Sequence, residues 1–295
     1  STQLLEALGY TSEKSADLGI DAEIFLSNIE QFKPDLGEIN RGKVKAAQWK
    51  SCAFLFQLTN DEIPSLAVGQ APLGADTKMA RGQIESFVFV AIELKGDQWS
   101  RTDLACITRE INRRFPMPAI VIFRHGELLS LAVIDRRVNL RDSSRDVIDS
   151  RITVIKDVRL ANPHRAHLDI LSSLALENLG EKRRPSNFDE LYEAWIEALS
   201  TQKLNEDFYK KLAWWYLWAV KEARFPSGGG QDRDAIGVIR LLTRLIFVWF
   251  IKERGLVPDA LFEADTLKGL LKQAPDAHPE DGQYYHSILQ NLFFA

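Results

Sequence analysis

The stretch Ser86–Phe115, SFVFVAIELKGDQWSRTDLACITREINRRF, decides how the chain is read. Its opening, Ser86 to Leu94, is rich in β-branched and aromatic residues, which predicts a buried strand. Ser100 and Asp103 then have the spacing of a capping box. Leu104, Ile107, Ile111 and Phe115 recur at helical spacing, and Pro116 and Pro118 end the helix. Two more apolar runs follow, PAIVIFRHG from Pro118 and LLSLAVIDRR from Leu128, with Arg124-His-Gly-Glu127 as the expected turn between them. RITVIKDV, from Arg151, adds a further strand. Strand, helix, strand, strand predicts a mixed sheet with a helix crossing it.

Upstream, Asp21 precedes a helical AEIFLSNIEQF that Pro34 stops. KVKAAQWKSCAFLFQLTNDEIP, residues 43–64, is ambiguous: its start suits a helix, whereas CAFLFQL suits a strand. LGADTKMARG, residues 73–82, reads as a loop. Downstream everything is helical. Asn162-Pro163 is expected to start a helix running through ILSSLALENL, and Asn187 with Glu190 to cap a helix striped by Phe188, Leu191, Trp195 and Leu199. LNEDFYKKLAWWYLWAVKEARF is apolar nearly all round, and SGGGQ is a short flexible link. Asp234–Arg254 is a long helix closed by Gly255, with Pro258 beyond. Five of the seven tryptophans, Trp195, Trp214, Trp215, Trp218 and Trp249, fall in these helices and are expected in the core. The expected fold is therefore α+β: a mixed-sheet, α/β nuclease-like domain over residues 1–160 with a helical N-terminal segment, then an all-α helical connector over 161–295.

A chain of 295 residues with a hydrophobic fraction of 45% can bury a sizeable core. Two cysteines, Cys52 and Cys106, make neither a disulfide framework nor a zinc site, which suits a reducing, cytoplasmic setting. The chain opens without a basic signal-peptide region. Its most apolar window, AIGVIRLLTRLIFVWFIKERG, is broken by Arg240 and Arg244, so it reads as a buried helix rather than a membrane span, its arginines meeting buried carboxylates. No membrane partner is expected. The absence of an initiator Met and an end inside the apolar pattern LQNLFFA suggest a piece of a longer parent. Net charge is -4, but Lys95 to Arg165 holds 14 Lys and Arg against 9 Asp and Glu, a local excess of +5.

The strongest chemical constellation is Asp76 with Glu93-x-Lys95. Metal-dependent phosphodiester cleavage needs carboxylates to hold Mg²⁺ and an ammonium to orient water. Glu and Lys two apart on a strand project to one face. Asp76 and Glu93 would be the metal ligands and Lys95 the ammonium, with Asp61 or Glu85 as substitutes for Asp76. The alternative is a solvated strand end. A second constellation, Arg101, Arg109, Asn112 and Arg113, offers a phosphate-gripping helix face, which Arg136, Arg137 and Arg141 would extend. Salt bridges to Asp103 or Glu110 are the competing account of those arginines. His164-x-x-His167 with Asp169 reads as structural, and no nucleotide-binding glycine loop or Ser-His-Asp motif is present.

The strings SRTDLACITREINRRFPMPAIVIFRHGELLSLAVIDRR, NPHRAHLDIL, FYKKLAWWYLWAV, IRLLTRLIFVWFIKERGLVPDALF and YYHSILQNLFFA, in this order, resemble the N-terminal half of bacterial type IIG restriction–modification enzymes. Those are single chains that fuse an endonuclease to an adenine-specific DNA methyltransferase. The resemblance runs from about residue 50 to the end. It implies an N-terminal Mg²⁺-dependent nuclease with Asp76, Glu93 and Lys95 as its residues, a helical connector over residues 160–295, and double-stranded DNA as partner. It also implies an S-adenosylmethionine-dependent methyltransferase domain of the same parent chain, whose Asn-Pro-Pro-Tyr motif is absent here. No Pro precedes Asp76, a departure from the family pattern at the first carboxylate. A non-catalytic DNA-binding or interaction module that positions the methyltransferase is the alternative.

Overall fold

The computed structural model describes the chain apart from residues 1, 68, 70–77, 81–84, 97, 136–150, 180–183, 224–230, 272–283 and 295. Its described residues fall into two compact units, 1–204 and 205–295.

The first unit is built on a sheet of five strands: β1 (Trp49–Thr59), β2 (Ser86–Leu94), β3 (Ala119–His125), β4 (Leu128–Ile134) and β5 (Ile152–Arg159), in that spatial order. β2 and β3 are parallel and the other neighbours antiparallel. The helices of this unit are α1 (Thr2–Ala7), α2 (Ala22–Glu30), α3 (Ile63–Ala67), α4 (Arg101–Arg114), α5 (Arg165–Ser173) and α6 (Phe188–Ala198). Parallel strands need a crossover, and α4 supplies it between β2 and β3. The ambiguous stretch after Lys43 resolves into a 3-10 turn, Ala46–Gln48, followed directly by β1. His125 still belongs to β3, so the hairpin turn is only Gly126 and Glu127, with Gly126 in the left-handed region.

Alternate residues of β2 enter two separate cores. Val88, Val90, Ile92 and Leu94 pack with Phe25, Leu26 and Ile29 of α2 and with Leu104, Ile107 and Ile111 of α4. Phe87 and Phe89 pack with Leu5 of α1, Leu171 of α5, and Leu191 and Trp195 of α6. A strand apolar on both faces needs cover on both, so the helices after residue 160 close the sheet. The first unit accordingly ends at Leu204 rather than at residue 160.

The local signals mostly appear where the residues place them. Asp21 caps α2. Ser100 and Asp103 form the reciprocal capping box of α4. Asn187 Oδ1 accepts from Glu190 N at 2.9 Å, starting α6. The cap of α5 is His164, two residues beyond Asn162.

The second unit holds α7 (Thr201–Glu222) from Asn205 onward, α8 (Gln231–Glu253), α9 (Ala264–Leu271) and α10 (Gln290–Phe294). Gly255, at φ 72°, closes α8, with Leu256 N donating to Ile251 O at 3.1 Å. The tryptophans correct the expectation of a common core. Trp195 is buried, but Trp214 is 80% exposed, and Trp215, Trp218 and Trp249 are also exposed. Arg240 lies at the surface, and Arg244 stacks over the Phe293 ring at 5.6 Å. Among the described residues, no helix is long and apolar enough to cross a membrane.

Candidate functional site

Glu93 is the penultimate residue of β2, on the Phe87–Phe89 face, at the carboxyl end of the parallel pair. Its side chain is 33% exposed. Lys50 Nζ donates to Glu93 Oε1 at 2.7 Å, and Ser51 Oγ approaches Oε2 at 3.4 Å. Arg124 stands beside it through the parallel register of β2 and β3. The Lys50 hydrogen bond, helped by the Lys50 and Arg124 charges, holds the Glu93 carboxyl below its ordinary value. Glu93 is therefore an anion at neutral pH.

Lys95 has a different position from the one alternation predicts. β2 ends at Leu94, and Lys95 lies in the turn beyond, where its backbone N donates to Gln48 O at 2.8 Å. Its ammonium is exposed and donates to the carbonyl of Ala47 at 2.9 Å. Glu93 and Lys95 thus share a strand end but engage different partners.

The metal ligands expected around Glu93 do not assemble among the described residues. Directly across β1 stands Ser51, not a carboxylate. Glu85 precedes β2 by one residue, eight positions before Glu93, or about 26 Å at 3.3 Å per strand residue. Asp61 follows β1 at that same far end, where Thr59 pairs with Ser86, and its carboxylate meets Lys14 Nζ at 3.3 Å. Neither substitute can share an ion with Glu93. Asp76 lies outside the described residues. Among the described residues, no group of three or more His, Cys, Asp and Glu side chains is placed to hold a metal ion. Among the described residues, Glu93 beside Lys50 and Arg124, with no second carboxylate, fits a divalent ion poorly. Cys52, whose thiol burial pushes up to about 12, is no thiolate nucleophile either.

The arginine helix separates into distinct roles. Arg113 Nη1 binds Glu110 Oε1 at 3.0 Å, and Lys43 binds the same oxygen at 2.5 Å. Lys45 meets Asp103 at 2.8 Å. The salt-bridge account thus holds for Arg113. The side chains of Arg101 and Arg109 make no hydrogen bond or ion pair among the described residues. Arg101, at the first residue of α4, lies some 18 Å along the helix axis from Arg113. Asn112, expected to contact DNA, is sealed from solvent. It is fully buried, its Nδ2 donates to Thr108 O and Ala119 O, and its Oδ1 accepts from Ala119 N at 2.8 Å. It clamps the end of α4 to the start of β3. Its place one turn from Thr108 and next to Ile111, at the edge of the Leu104–Ile107–Ile111–Phe115 stripe, was the available signal. Arg136, Arg137 and Arg141 lie outside the described residues.

Sequence reasoning missed Lys50 and Arg124. Arg124 was assigned to a turn, and Lys50 reaches Glu93 only because of a register irregularity in β1.

No family model matches the chain, and no curated protein and no solved structure matches it.

Proposed function

We propose that the first unit binds the phosphate backbone of double-stranded DNA at the carboxyl ends of β2 and β3. On this reading it is a module of a restriction–modification-type protein whose methyltransferase domain, with its S-adenosylmethionine, stands elsewhere in the parent chain. The observation that carries the reading is the cluster of cations at this corner: Lys50 and Arg124 flank the Glu93 carboxylate, and Lys95 stands at the end of the same strand. Arg124 suits the role because it is exposed and its guanidinium can fork onto a phosphate. Arg101, at the helix end nearest this corner in sequence, extends the same charge.

Binding of this kind releases counterions, so log K falls with log salt by about 0.9 per phosphate contact. Arg124→Ala should flatten that slope by roughly 0.9 and weaken binding to all duplex sequences alike. Affinity indifferent to salt and to duplex would instead make the unit a protein-interaction scaffold.

Mg²⁺-dependent cleavage by Glu93 and Lys95 is the second reading. It is favoured by the partly exposed, ionised Glu93 at the end of β2. It requires Asp76 as the second carboxylate. Glu93→Ala should then abolish duplex cleavage in Mg²⁺ with an unchanged circular dichroism spectrum. Equal cleavage by wild type and variant would remove Glu93 from the chemistry.

A further inference from the structure

Trp49 and Cys52 both enter the core on the α4 side of the sheet, although only Lys50 and Ser51 separate them. Strict alternation would put them on opposite faces. The register explains this: Trp49 pairs with Leu94 and Ser51 with Glu93, so β1 carries one extra residue, Lys50, at this point. Such a bulge interrupts the ladder and re-aims a side chain. Its result is that Lys50 and Ser51 both stand opposite Glu93, the ammonium at 2.7 Å and the hydroxyl at 3.4 Å. The Lys50 side chain is 63% exposed. An ion pair this open adds little to stability, so the bulge is poorly explained as a device for holding the sheet together.

We propose that Glu93 is an internal substitute for a DNA phosphate: it occupies the Lys50 ammonium in the free protein, and an incoming phosphate must displace it. This rests on the phosphate-binding reading above and adds a regulating residue to that site. A carboxylate and a phosphodiester each bring one negative charge and accept from an ammonium in the same way, so the exchange conserves charge at Lys50. The hydroxyl of Ser51 remains beside Glu93 after the exchange, while Arg124 joins Lys50 on the phosphate. Lys95, held on the Ala47 carbonyl, is not the cation exchanged.

The test is duplex binding across a salt series with the full chain as wild type, Glu93→Gln, Lys50→Ala and the double variant. Glu93→Gln should bind roughly five- to tenfold tighter at about 0.1 M salt, because no carboxylate has to be displaced from Lys50, with a slope close to that of the wild type, since both complexes make the same phosphate contacts. In the Lys50→Ala background the same Glu93→Gln change should give no gain. A gain that persists without Lys50 means that Glu93 merely repels DNA, and it overturns the exchange. Wild-type binding with no gain in Glu93→Gln overturns the exchange alone and leaves the phosphate reading standing. Failure of all four proteins to bind duplex overturns both.

Discussion

Replacing Trp195 by alanine should cost the first unit about 3–5 kcal/mol, with a melting transition lowered by roughly 10 °C. Trp195 is 1% exposed in α6. Its Nε1 donates to Tyr10 Oη at 2.7 Å, and Tyr10 Oη donates to Leu174 O at 2.6 Å. The indole also stands edge-on to the Tyr10 ring, centroids 5.4 Å apart, and lies 6.4 Å from Phe87 of β2. One side chain thus joins the N-terminal segment, the sheet and α6. Its removal leaves a large cavity and deprives Tyr10 of its donor. Trp195→Phe keeps most of the apolar area and loses mainly the hydrogen bond, so about 1–2 kcal/mol is expected. Denaturant unfolding of both variants reads the difference. A loss below about 1 kcal/mol for Trp195→Ala would show that α6 does not share the sheet's core, and would restore a boundary near residue 160.

Glu62→Ala should be comparably severe, also about 3–5 kcal/mol. Glu62 and Lys14 are both buried, and their charged groups lie 3.4 Å apart. Lys14 also contacts Thr59 Oγ1. Glu62 accepts from Ser12 Oγ, Thr59 N and Thr59 Oγ1, each at 2.8 Å. Deleting the carboxylate strands an ammonium in the interior and orphans a backbone N–H. The nearby Asp61 is mostly exposed and compensates weakly. Adding Lys14→Met to Glu62→Ala removes the stranded charge, so on the order of 2 kcal/mol should return. If the double variant is no more stable than Glu62→Ala, the cost lies in the lost hydrogen bonds and not in the buried charge.

The two readings of α4 show where local sequence logic stops. Its cap and apolar stripe are encoded within 16 residues, and the helix forms where they place it. The fate of its polar residues is not encoded there. Arg113 and Asn112 are neighbours, yet one pairs with Glu110 and the other is sealed against Ala119. Which side of the stripe is covered depends on β3 and on the segment carrying Lys43. The tryptophans make the same point in reverse: an apolar composition in α7 and α8 announced burial, but all four of their indoles are exposed.

By itself, the sequence determined the strands of the sheet from β2 onward, the helix between β2 and β3, and the capped starts of α2, α4 and α6, because each depends on residues within a few positions of one another. Tertiary structure alone decided the rest. The sheet's second face needs α5 and α6, which moved the end of the first unit to Leu204. The bulge that turns Lys50 onto Glu93 exists only through the register of β1 on β2, a pairing between residues more than 40 positions apart. Local propensity acts over a turn or a strand, whereas register and burial are settled by what the rest of the chain brings to each face.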